Sequence, residues 1–199
     1  MKNSILTLLA IASLTACKKK ETTTVDNTMD STKMASPKDS TMMTTDSTAM
    51  KEATTMLSEQ DKTFADAAAK GGMMEVILGN IAATNGSNQK VKDFGIMMVD
   101  DHTKANNELK TWAMTANYKL PTNLDADQQK TVDNLKMKMG ADFDKAYINL
   151  MVPDHKAVIE AFKKESMAGT GDLKAFATKT IPTLETHLKK AEDAMKMIK

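Results

Sequence analysis

Three long stretches of this chain place their apolar residues in alternating steps of four and three, and each row carries a histidine. The first row is Val91, Gly95, Met98, His102, Ala105, Leu109 and Trp112. The second is Ile148, Met151, His155, Val158 and Phe162, and the third is Leu173, Phe176, Thr180, Leu184, His187 and Ala191. This spacing gathers the row onto one face of an α-helix and excludes the two-residue alternation of a strand. Each face must be buried against another. The chain has only three histidines in 199 residues, and all three stand on these inward faces. Imidazole is a common metal ligand and changes charge near neutral pH. The pattern that dictates a helical fold therefore also nominates a site.

The 143 residues from Leu57 to the end suffice for one helical domain with its own core. Ser58-Glu59-Gln60-Asp61 reads as a helix cap, and Gly71-Gly72 is expected to break or kink the first helix before it continues to about Thr84. Asn85-Gly86-Ser87 is a turn. A long helix is expected from about Asn88 to Ala116, closed by Lys119-Leu120-Pro121-Thr122-Asn123. A third helical region runs from about Asp125 to Met167, with a break near Gly140. Gly169-Thr170-Gly171 stops it, and a last helix starts at about Asp172. Pro153 and Pro182 fall inside the last two regions and are expected to bend them. On the first helix, Ala68, Glu75, Leu78 and Ala82 form the line most suited to face inward.

The region before residue 57 has a different character. Lys2 precedes an apolar run from Ile5 to Ala16, too short to span a bilayer. It ends in Leu14-Thr15-Ala16-Cys17, which resembles a bacterial lipobox. Residues 1–17 thus read as a lipoprotein signal peptide with Cys17 as the lipidation site. Cys17 is the only cysteine, so no internal disulfide can form. The expected partner is a membrane, reached through the lipid anchor, with Lys18, Lys19 and Lys20 resting against headgroups. Residues 18–56, rich in Ser, Thr and Met and nearly free of large apolar residues, read as a disordered tether reaching roughly 35 Å. Asp-Ser-Thr recurs there at Ser31, Ser40 and Ser47, resembling a bacterial O-glycosylation signal, though biased composition alone also repeats. Its methionines offer soft thioether ligands of the kind that bind Cu(I), but their irregular spacing makes copper capture the lesser expectation. The net charge is +1 with the signs interspersed, so no nucleic acid partner is expected. The expected location is the cell envelope, lipid-anchored in the outer membrane and facing the periplasm.

Two of the histidines share a local setting. Met98-Val99-Asp100-Asp101-His102 and Met151-Val152-Pro153-Asp154-His155 both read Met-Val-x-Asp-His, while Val91-Lys92-Asp93-Phe94 aligns with Leu173-Lys174-Ala175-Phe176. These pairings link different helices and do not describe one clean duplication. Together with Gly71-Gly72-Met73-Met74-Glu75-Val76 and Pro182-Thr183-Leu184-Glu185-Thr186-His187-Leu188, the segments resemble a known family. It comprises ferritin-like bacterial envelope proteins catalogued as a domain of unknown function and often labelled outer membrane proteins. The resemblance covers about residues 57 to 197. It implies an all-α, ferritin-like antiparallel four-helix bundle and no established reaction.

Ferritin-like di-iron sites use one Glu on each of two helices and a Glu-x-x-His on each of the other two. On that pattern Glu75 stands at the first Glu position, and His102 and His187 at the His positions. Val99 and Leu184 stand where the accompanying Glu residues are needed, and His155 fills the second lone-Glu position. The bridging carboxylates are missing, which argues against a redox enzyme of oxygen or peroxide. One carboxylate and three imidazoles suit a single divalent or copper ion held by Glu75, His102, His155 and His187. Adjacent residues on a helix do not face one another. Asp101 and Asp154 are therefore expected to orient histidines of other helices. Met98 and Met151, one turn before two of the histidines, either lend sulfur to Cu(I) or fill the core. The competing reading is a metal-free polar core, its histidines hydrogen-bonded to Asp, Glu or Tyr147, in a non-enzymatic structural or stress-related envelope protein. No thiol lies in the domain and no serine sits in a nucleophile elbow, so covalent catalysis has no support.

Overall fold

Capping residues set where the helices begin. Ser58 Oγ accepts from the amide of Asp61 at 3.0 Å, and the Asp61 carboxylate accepts from the amide of Ser58 at 3.3 Å. This reciprocal capping box opens α1, Glu59–Asn85. Asn88 accepts from the amide of Lys90 at 2.9 Å and opens α2, Gln89–Thr115. Asp125 and Gln128 form a second capping box before α3, Ala126–Lys136. Neither α4, Gly140–Ala168, nor α5, Gly171–Met195, has a side-chain cap. There the chain reverses at Gly140 and Gly171, whose φ values of +61° and +51° are left-handed conformations that glycine adopts without steric cost. The computed structural model describes residues 57–198, and these form five helices and no strand. Cys17, the tether, and Ser31, Ser40 and Ser47 lie outside the described residues.

The third helical region divides at Gly140, where the sequence places its break. The expectation for Gly71-Gly72 is corrected: α1 runs unbroken through both glycines. The reason is tertiary. A Cβ on Gly72 would collide with the Asn106 side chain of α2. Two turns further on, a Cβ on Gly79 would lie 2.6 Å from the Gly95 carbonyl, and one on Gly95 would lie 2.6 Å from the Ala82 Cβ. These glycines serve close approach of α1 to α2 rather than termination. Each costs about 1 kcal/mol of helix propensity, which the packing offsets. Helices α4 and α5 likewise continue through Pro153 and Pro182, each losing one backbone bond.

The four long helices pack in a ring: α1 on α2, α2 on α5, α5 on α4, and α4 on α1, with α3 against α1 and α4. The turn between α1 and α2 is fastened by Asp144 of α4, buried to 2% exposure. Its carboxylate accepts from the Ser87 hydroxyl at 2.6 Å and the Asn88 amide at 2.8 Å. The core falls into two apolar clusters. One is built on Leu78, Phe94, Met98, Tyr147 and Met151. The other is built on Phe64, Leu109, Phe162, Phe176 and Leu184.

Candidate metal centre

The histidines lie in a polar layer between those clusters. Along α2, His102 falls between Met98 of one and Leu109 of the other; along α4, His155 falls between Met151 and Ile159. On α5, His187 falls between Leu184 and Ala191, and on α1, Glu75 falls between Ala69 and Leu78. All four are buried, with exposures of 2% for Glu75, 6% for His102, 0% for His155 and 1% for His187. Four separate helices thus each bring one buried polar residue to a single level. Ring centroids are 5.2 Å apart for His102 and His187, 5.5 Å for His155 and His187, and 6.2 Å for His102 and His155.

Each imidazole commits one nitrogen to an oxygen behind it. His102 Nδ1 lies 3.0 Å from Glu75 Oε2. His155 Nδ1 donates to the Met151 carbonyl at 3.0 Å; a carbonyl only accepts, so the proton sits on Nδ1. His187 Nε2 lies 3.1 Å from Asp101 Oδ2. The opposite nitrogens, His102 Nε2, His155 Nε2 and His187 Nδ1, are buried and without a hydrogen-bond partner, as are Glu75 Oε1 and the Tyr147 hydroxyl. One ring nitrogen from each histidine lies within 4.8 Å of the other two, and Glu75, Asp154 and His155 form a second group of the same kind. Either group could hold a metal ion. Metal–imidazole bonds of about 2.0–2.1 Å at a tetrahedral ion put ligand nitrogens roughly 3.4 Å apart, so nitrogens as far apart as 4.8 Å would draw together by about 1.4 Å on binding.

The electrostatics favour neutral rings. Burial brings His102 down to about 3, helped by the neighbouring His187 and His155. Burial likewise brings His155 to about 4 and lowers His187 against the opposing pull of Asp101. At physiological pH all three therefore keep a lone pair for a cation. Burial acts to raise Asp101, but the bonds from His187 and Lys104 outweigh it and hold the carboxylate below its usual value. An ionised Asp101 accepts only, so the His187 proton stays on Nε2 and leaves Nδ1 bare. Burial, then the charge of Asp154, pushes Glu75 well above the usual carboxylate range. Burial also raises Asp154.

The structure brings together Glu75, His102, His155 and His187, and sets Asp101 behind His187. Asp154 is placed differently: its carboxylate joins Glu75 and His155 of its own helix rather than a histidine of another helix. Met98 and Met151 are fully buried in the apolar cluster with Leu78 and Phe94. Tyr147 is buried beside Phe94 and Phe143, its hydroxyl bonded to none of the histidines. The sequence reading missed another buried acid, Glu165, which Gln60 meets at 3.2 Å near buried Asp61. The signal was available: Glu165 continues the row through Val158 and Phe162 by one more step of three. No curated protein and no solved structure matches the chain. A family model described as Domain of unknown function (DUF4142) matches residues 46–194, three quarters of the chain, and the protein belongs to that family.

Proposed function

We propose that this is a lipid-anchored cell-envelope protein whose ferritin-like, antiparallel four-helix bundle binds one metal ion through His102 Nε2, His155 Nε2 and His187 Nδ1. Glu75 Oε2 steadies His102 from behind, and Oε1, 3.6 Å from His155 Nε2, joins the ion only by giving up that bond, so three imidazoles leave the fourth position open. One observation carries the reading: each imidazole has its outer nitrogen held by an oxygen and its inner nitrogen bare. That is how protein-bound metals are ligated, with the outer partner fixing tautomer and ring orientation. A bound ion would act as a Lewis acid toward whatever occupies its open position.

Magnitudes weigh against an unoccupied polar core. Six buried polar atoms among the described residues lack a protein partner, four of them on Glu75 and the three histidines, and each costs about 1–3 kcal/mol when left unpaired. A cation at the centre satisfies at least three of them at once. The lipid anchor rests on Leu14-Thr15-Ala16-Cys17; no described helix is long and apolar enough to cross a membrane. The test is elemental mass spectrometry on protein purified from metal-replete cells, with melting curves before and after chelation. Near-stoichiometric metal and a chelator-sensitive melt are expected. Metal far below one per chain, with an unchanged melt, would return the site to a metal-free core filled by water.

A further inference from the structure

A cavity of about 80 Å³ lies between α1, α2, α4 and α5, directly against the polar layer. Phe64, Leu109, Phe162 and Leu184 wall it, with the neutral polar side chains of Asn106 and Thr180, and Glu75 and His102 line it on the side of the polar layer. Both of those residues present buried, unpartnered atoms, Oε1 and Nε2. Its far end is lined by Ala67, Gly71 and Ala161. Ala67 and Ala161 are exposed and Gly71 is half-buried, so the chamber opens at the seam of α1 and α4. From Ala67 to Glu75 is eight residues along one helix, or about 12 Å. Small residues hold the mouth open: a Cβ on Gly71 would meet nothing within 4 Å.

We infer that this chamber binds a short, unbranched, uncharged alkyl molecule and leads its single polar end to the open position of the metal. The inference rests on the metal-binding reading. Volume and chemistry set the ligand class. Apolar walls without a charged side chain disfavour an ion. An apolar cavity of about 150 Å³ holds benzene, so about half that room admits roughly three or four non-hydrogen atoms. His102, whose Nε2 is the proposed ligand, lines the chamber, so the head group is one that ligates a cation: a thiol, alcohol or amine.

The probe is 1-propanethiol added to the full-length protein loaded with cobalt(II), read by the sulfur-to-cobalt charge-transfer absorption. 2-Methyl-2-propanethiol serves as the branched control. On coordination the S–H bond breaks, the Co–S bond forms and the proton passes to buffer. The linear thiol is expected to produce the band at least tenfold more readily than the branched one. Gly71→Leu fills the mouth, sits in a helix that favours leucine over glycine, and is expected to keep cobalt content while losing the thiol band. Ala161→Phe, at an exposed lining position, is the second plug should the first fail to fold. Cobalt bound with no thiol band, or a band equally strong with the plugged variants or the branched thiol, would overturn the chamber. Failure to take up cobalt at all would instead overturn the metal reading and the chamber with it.

Discussion

Replacing His155 by Phe separates a ligand from a structural ring. The side chain is fully buried and keeps one nitrogen bare. Phe keeps a planar ring slightly larger than imidazole, removes the unpaired nitrogen, and so relieves about 1–3 kcal/mol. It loses the Nδ1 bond to the Met151 carbonyl, about 1 kcal/mol, and adds slight overpacking of similar size. Metal-free stability is thus expected to change by less than about 1.5 kcal/mol. Metal binding is another matter, because one of three imidazoles is gone. At a free ion concentration 100 times the dissociation constant, ligation adds about 2.7 kcal/mol to the native state. For the described domain of about 140 residues, at about 2.1 cal/mol/K per residue, that corresponds to roughly 9 °C in Tm. Differential scanning calorimetry with buffered zinc, before and after a chelator, reads both effects. The wild type is expected to shift by this amount, and His155→Phe to melt near the chelated wild type with or without zinc. An equal zinc-dependent shift in the variant would refute the role of His155 as a ligand.

Asp101→Asn keeps the shape behind His187 but removes the negative charge, and metal affinity is expected to fall 10–100-fold with little change in fold stability; competition with a chromophoric chelator measures it. Gly95→Ala places a methyl 2.6 Å from the Ala82 Cβ and 2.7 Å from the Gly79 carbonyl, and urea denaturation should report a loss of about 1–3 kcal/mol. The metal-free protein is expected to lose stability as pH falls from about 6.5 toward 4. The unfolded histidines take up protons there that the buried ones, held near 3 and 4, refuse. Glu75 and Asp154, raised by burial, act with the opposite sign. Their contribution reduces the loss that the histidines cause, and melts across that range would read the net effect.

Residues that repeat at helical spacing told most of this in advance. His102, His155 and His187 share rows with Met98, Met151 and Leu184, so their convergence on the interior follows from the 3.6-residue period alone. The division of the third region at Gly140 was equally local, because the left-handed turn there calls for glycine. What the chain hides is set by contacts between distant segments. Gly71-Gly72 reads as a breaker until Asn106 of α2 is seen to occupy the space beside Gly72. Asp144 caps a turn 57 residues earlier, a pairing no local pattern carries. Asp101 and Asp154 occupy identical positions in a repeated pentapeptide, yet only Asp101 reaches a histidine of another helix. Their rotation about their own helices is fixed by how α2 and α4 pack, and the chamber beside Glu75 exists only where four helices leave a gap.

X-ray absorption at the zinc edge of the loaded protein tests the centre most directly. Three imidazole nitrogens at about 2.0–2.1 Å, with the outer-ring scattering of histidine and one further oxygen, are expected. A shell of oxygen alone, or one with no more than a single imidazole, would contradict the convergence of His102, His155 and His187 on one ion.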